Sequence, residues 1–121
     1  MFKTIMHVVG ARPNFVKAAP VMRHIDPEIN QILIHTGQHY DNKMSDVFFD
    51  NLKIPRPTES LNIGSGTHAV QTGRVMIEIE GCIKRYNPEL VIVYGDVNST
   101  LGAAIAATKM NIKVAHVESG L

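Results

Sequence analysis

The side chains with the greatest capacity for chemistry lie in short polar stretches, each directly after an apolar run. The first is Gly10-Ala11-Arg12-Pro13-Asn14-Phe15, with Lys17 just beyond it and Ile5 to Val9 before it. Glycine lets the backbone turn without a Cβ clash and proline stiffens the loop, so two cations held at such a junction suit an anionic ligand. An ordinary turn carrying two solvated cations fits the same residues. The second stretch, Gly95-Asp96-Val97-Asn98-Ser99-Thr100, follows Leu90 to Tyr94. Unbonded N–H groups at a helix start favour a phosphate, and Asp96 adds a carboxylate beside them. Plain capping by Asp96, Asn98 or Ser99 explains that composition equally. The third stretch is His116-Val117-Glu118-Ser119-Gly120, after the last apolar run.

The elements that must position these residues alternate between two periodicities. Ile5 to Val9, Gln31 to His35, Leu90 to Tyr94 and Val114 to Val117 are nearly all apolar, as strands buried on both faces are. Helix-length segments separate them: Asn14 to His24, Lys43 to Leu52, His68 to Tyr86 and Ser99 to Lys109. The βαβα order predicts an α/β fold with a parallel sheet, right-handed crossovers and flanking helices. Every strand of such a sheet ends at the same edge, which brings Arg12, Lys17, Asp96 and Glu118 to one crevice. There the cations can hold a diphosphate while the carboxylates move protons, or the four can form a structural ion-pair network.

Local signals add detail. In the long third helix Val70, Val75, Ile77, Ile79, Cys82, Ile83 and Tyr86 are expected to form the stripe that packs on the sheet. Pro20 predicts a kink or early break in the first helix. Ile54 to Thr58 and Gly64 to Thr67 read as loops, the latter ending in an N-cap, with a short strand over Leu61 to Ile63 between them.

Composition narrows the function classes. At 121 residues one domain is expected, and a formal net charge of +1 argues against a general nucleic-acid or anionic-membrane surface, so any cationic function is local. Cys82 is the single cysteine, which excludes an internal disulfide, fits a reducing cytoplasm and reads as a buried apolar residue. No apolar run approaches the length of a membrane span, and the N-terminus lacks a secretory pattern. No His/Cys/Asp/Glu spacing resembles a zinc site and no P-loop is present. His7 and His24, on a strand and a helix, read as structural, whereas His39 and His116 fall at the crevice edge. The sequence stops at Leu121, directly after an apolar strand, and is expected to be an interrupted domain.

Four motifs together carry a resemblance: Gly10-Ala11-Arg12-Pro13-Asn14-Phe15-Val16-Lys17, His35-Thr36-Gly37-Gln38-His39-Tyr40-Asp41, Gly95 to Thr100, and His116-Val117-Glu118-Ser119-Gly120-Leu121. In order and spacing the chain resembles the amino-terminal part of the non-hydrolysing UDP-N-acetylglucosamine 2-epimerases. The resemblance implies most of the first of two Rossmann-like domains of a glycosyltransferase-B-like architecture, with residues 1–121 a truncated domain and the second nucleotide-binding domain lying beyond. It implies reversible inversion at C2 of an N-acetylhexosamine by elimination of UDP to a 2-acetamidoglucal and re-addition. Such an enzyme would use no redox cofactor and no metal, would act as a homodimer on a UDP-sugar in the cytoplasm, and would supply precursors of cell-surface polysaccharide.

By motif position Asp96 and Glu118 match carboxylates of proton transfer near C2, and Lys17 a lysine important for activity. Arg12 matches a nucleotide-sugar arginine facing phosphate; Gly10, Asn98 and His116 fall with it in the substrate site. Gln38, with His39 beside it, matches a site where some members bind a second UDP-N-acetylglucosamine as activator, although Tyr40 and Asp41 depart from those members' pattern. Ala11, Asn14 and Asn98-Ser99 also resemble enzymes that epimerise UDP-2,3-diacetamido-glucuronate. A nucleotide-sugar glycosyltransferase and a non-catalytic α/β binding domain are the rival classes.

Overall fold

The computed structural model describes residues 2–37, 46–95 and 98–117. Strand β1 (Thr4–Val9) leads into helix α1 (Arg12–His24), followed by β2 (Asn30–His35), α2 (Asp46–Leu52), β3 (Glu59–Ser60), α3 (His68–Tyr86), β4 (Leu90–Tyr94), α4 (Asn98–Lys109) and β5 (Lys113–Val117). The strands form one sheet in the order β3-β2-β1-β4-β5, and every pair is parallel. Met6 sits opposite Ile32 on one side and Val91 on the other, so β1 is bonded along both edges. This is the α/β sheet expected from the apolar runs.

Alternation along each strand divides the core between the two faces. Ile5 and Val9 join Leu33, Ile92 and Tyr94 beneath α1 and α2, through Phe15, Ala18, Met22 and Phe49. Met6 and Val8 join Ile32, Ile34, Val91 and Val93 beneath α3 and α4, through Val75, Ile79, Cys82 and Ala103. The division follows from the hand of the crossovers. Connections that step from β1 toward β3 carry their helices on one face, and those that step toward β5 must carry theirs on the other.

Three local expectations change. Helix α1 does not break at Pro20 but continues to His24. The missing N–H leaves the carbonyl of Val16 without its usual donor, and Val16 is 51% exposed, so water can serve it while Phe15, Ala18, Ala19 and Met22 keep an unbroken buried face. The apolar stripe of α3 is narrower than its composition: Val75, Ile79, Cys82 and Ile83 are buried, yet Ile77 is 67% exposed and Val70 44%. Ile77 lies about 200° around the helix from Val75, and Val70 about 140°, so neither can face the sheet with it. The short edge strand is Glu59–Ser60 and not Leu61 to Ile63. Regular β2 ends at His35, but the N–H groups of Leu61 and Ile63 still donate to the carbonyls of His35 and Thr36 at 2.8 and 3.0 Å.

Other expectations hold. Thr67 caps α3, its side-chain oxygen accepting from the Val70 N–H at 3.1 Å, and Asn87 in the left-handed conformation closes it with an N–H to the Ile83 carbonyl. Cys82 is fully buried, and burial, reinforced by Glu59, pushes its thiol up to about 11. Arg85 grips Glu59 with two N–H bonds of 3.1 and 2.9 Å, while the Tyr86 hydroxyl donates to the same carboxylate. That ties the end of α3 to the sheet edge, at a site exposed enough for solvent to screen the pair.

The stripe correction makes a direct prediction. Ile79→Ala should lower the unfolding free energy by about 2–5 kcal/mol, as truncation in a packed core does, whereas Ile77→Ala should change it by less than about 0.5 kcal/mol. Denaturant midpoints of the two variants check this, and equal losses would contradict the packing described.

Candidate functional site

The strand order reverses at β1 while the strands stay parallel. The connection after β1 leaves toward β2 and the one after β4 leaves toward β5, so the carboxyl ends of these adjacent strands part and open a crevice. Gly10, Thr36 and Gly95 each stand one residue past a strand end there.

Asn14 holds the first loop together. Its buried side-chain oxygen accepts from the N–H groups of Gly10 and Ala11 at 3.2 and 3.0 Å, a task Ala11 cannot perform for itself at the helix start. The N–H of Gly10 is therefore already committed, and what Gly10 contributes is close approach: a Cβ there would lie 2.7 Å from Ser99 Oγ. The other end of the Asn14 amide lies against Gly95, whose φ of +85° excludes most side chains and where a Cβ would come within 2.8 Å of Asn14 Nδ2. Asn14 thus joins the turn after β1 to Gly95 after β4. In the sequence Asn14 enters only through the resemblance to the diacetamido-glucuronate epimerases; an amide at the third position of a helix whose cap residue, Ala11, has no side-chain acceptor is the signal for its holding role.

Beside these loops lies a cavity of about 450 Å³. Gly10 and Thr36 line it from the sheet edge, and His68, Gln71, Asn98 and Ser99 from the starts of α3 and α4. Thr36 Oγ1 and Ser99 Oγ are 2.6 Å apart. Asn98 Nδ2 reaches His68 Nδ1 at 2.9 Å and Gln71 Oε1 at 3.0 Å, and Gln71 Nε2 donates to the Gly64 carbonyl at 3.3 Å. Of the residues expected to bind substrate, Gly10 and Asn98 meet here. His68 and Gln71 went unrecognised because a lone His and Gln on a helix carry no spacing signal.

The cations take a separate position. Arg12, the first residue of α1, is exposed with its guanidinium carbon 4.8 Å from the centroid of the Phe48 ring. Lys17 is half-buried five residues on, about 140° around the helix. Among the described residues no carboxylate pairs with either and neither lines the cavity. His116 Nε2 donates to the Gly95 carbonyl, so that nitrogen holds the residue that follows β4. Asp96, Glu118, Gln38 and His39 lie outside the described residues. Among the described residues no group of three His, Cys, Asp or Glu side chains could hold a metal ion, and no helix is long and apolar enough to cross a membrane.

A buried polar chain runs beneath the crevice. His7 is fully buried, with Nδ1 2.7 Å from the Tyr94 hydroxyl and Nε2 2.7 Å from Gln31 Oε1. Gln31 Nε2 donates to the Met22 carbonyl at 3.1 Å, which fixes its orientation, so His7 Nε2–H donates to Gln31 and Nδ1 accepts from Tyr94. Burial lowers His7 to about 4 against the opposing Gln31 bond, and raises the Tyr94 hydroxyl well above its ordinary value. His35 is lowered by burial as well. The structural reading of His7 holds, and through Tyr94 it anchors the residue preceding Gly95.

A sequence model described as UDP-N-acetylglucosamine 2-epimerase matches residues 23–121. The chain belongs to the UDP-N-acetylglucosamine 2-epimerase family. It is 54% identical to a UDP-N-acetylglucosamine 2-epimerase homolog of Methanococcus maripaludis over 97% of this chain and 33% of that protein. It is also 47% identical to the UDP-2,3-diacetamido-2,3-dideoxy-D-glucuronate 2-epimerase of Pseudomonas aeruginosa, over 97% of this chain and 34% of the relative. Among solved structures, the UDP-GlcNAc 2-epimerase of Methanocaldococcus jannaschii in complex with UDP-GlcNAc and UDP superposes with a TM-score of 0.86 at 44% identity, covering 98% of this chain and 33% of that one. As a member of this 2-epimerase family the chain thus has the parallel α/β fold of its solved relatives, and it spans about a third of their length.

The His7 chain sets an acid limit on this epimerase-family fold. With its folded pKa lowered to about 4 from 6.5, His7 takes up protons more readily in the unfolded chain, so its contribution is complete above about pH 6.5 and is lost as pH falls through about 4. Unfolding free energy measured from pH 7 to pH 4 should fall, by up to roughly 3 kcal/mol from His7. His7→Gln should flatten that slope, leaving the part due to His35.

Proposed function

We propose that the full-length protein is a UDP-N-acetylglucosamine 2-epimerase that interconverts its substrate with UDP-N-acetylmannosamine. A base takes the proton from C2, the C1–O bond breaks, and UDP leaves with the bonding pair to give a 2-acetamidoglucal; UDP then adds back while C2 regains a proton on the opposite face. In this reading Asp96 and Glu118 carry the protons, Lys17 steadies charge on departing UDP, and Arg12 binds the diphosphate, where a planar fork of donors suits paired oxygens. Family membership is the observation that carries it. The reversal of strand order adds support, since the turn that leads into Arg12 and the turn after Tyr94 leave adjacent strand ends. The reading includes a second nucleotide-binding domain beyond residue 121, a cytoplasmic homodimer and a role in surface-polysaccharide precursors. A second substrate, UDP-2,3-diacetamido-glucuronate, is favoured specifically by the 47% identical Pseudomonas relative.

Incubating the full-length protein with each UDP-sugar in deuterium oxide tests both: epimer formation with deuterium at C2 identifies the substrate, and its absence with both refutes the reading. Asp96→Asn and Glu118→Gln should each lower kcat by about 10² or more. Arg12→Ala should weaken UDP binding by calorimetry, with Arg12→Lys restoring only part, because a point charge lacks the forked geometry.

A further inference from the structure

We propose that the cavity between the sheet edge and the starts of α3 and α4 receives the uncharged sugar of the nucleotide sugar, and that Asn98 reads a hydroxyl or acetamido N–H there with Oδ1, held in that orientation by Gln71 and His68. The inference rests on the UDP-sugar reading above and adds which element recognises which part of the ligand.

The orientation follows from donor and acceptor chemistry. The Gly64 carbonyl can only accept, so Gln71 must present Nε2 to it and Oε1 to Asn98. An oxygen facing Asn98 requires Asn98 to present Nδ2, whose second N–H then meets His68 Nδ1 at 2.9 Å. That histidine nitrogen carries the lone pair, which places the ring proton on Nε2. Both N–H bonds of Asn98 are thereby used within the wall, and the polar atom left to meet a ligand is Oδ1, an acceptor. An acceptor fixed in advance selects a donor and repels an anion.

The rest of the lining agrees. Among the described lining residues there is no lysine, arginine, aspartate or glutamate, so none of these side chains answers a diphosphate or a uronate charge. Ile63 and Val75 supply an apolar floor suited to an acetamido methyl, and about 450 Å³ is within the usual range for a small-ligand pocket. Arg12 stands apart on Phe48, so charge and sugar are recognised by different elements.

The test is calorimetric titration of the full-length protein with UDP and with UDP-N-acetylglucosamine. Asn98→Ala should weaken UDP-N-acetylglucosamine about tenfold or more while leaving UDP within about twofold, one net hydrogen bond being worth about a factor of ten. Asn98→Ser, equally suited to a helix start, should repeat the loss and stands in should the alanine variant fail to fold. Gln71→Leu, which frees the amide to turn, should show the same selective loss, and Gln71→Glu, which keeps an acceptor toward Asn98, should recover part of it. Equal losses for UDP and the UDP-sugar, or no loss, would overturn this inference alone. Failure of the wild type to bind either ligand would overturn it together with the functional reading.

Discussion

Strand β1 has no free side. Its backbone is bonded to β2 along one edge and to β4 along the other, and its side chains from Ile5 to Val9 are buried above and below. A strand so enclosed must be almost wholly apolar, and its neighbours must offer matching apolar rows on both faces. Because β1 is also where the connections change direction, the most constrained strand of the molecule delivers the loop of greatest chemical interest.

His7 is the exception within this strand, and its surroundings show what a polar group needs in such a place. One ring nitrogen accepts and the other donates, and the glutamine beyond is itself bonded to the backbone of α1. Leaving any link unmatched in a buried site would cost about 1–3 kcal/mol, so the links are satisfied only as a set. The sheet interior is thereby coupled to Tyr94 and to the turn that follows it. Asn14 plays the corresponding part above the sheet, where one carboxamide serves two loop N–H groups and abuts a third element.

Much of this was legible in the sequence. Doubly buried strands announce themselves as unbroken apolar runs, and β1, β2, β4 and β5 were found within a residue of their ends. The convergence of the Gly10 and Asn98 segments followed from parallel topology alone. Less legible was anything decided by direction around a helix or by partners distant in sequence. Ile77 and Val70 match the α3 stripe in type but not in angle. Edge strand β3 is two residues long, and Leu61 and Ile63 bond alongside β2 without extending it as ladder. His68 and Gln71 acquire meaning only once Asn98, about thirty positions on, is set against them.

Val75 belongs to two structures at once. It is almost completely buried in the core shared by α3, α4 and the sheet, and it also forms part of the cavity floor. Wall and foundation are therefore the same atoms. A change of side chain here that reshaped the cavity would also disturb the helix packing, so descendants of this fold are not free to explore new ligands at this position. Diversification falls instead to the polar rim, where a substitution alters what is recognised without loosening what holds the domain together. The cavity's floor answers to packing and its rim to the ligand.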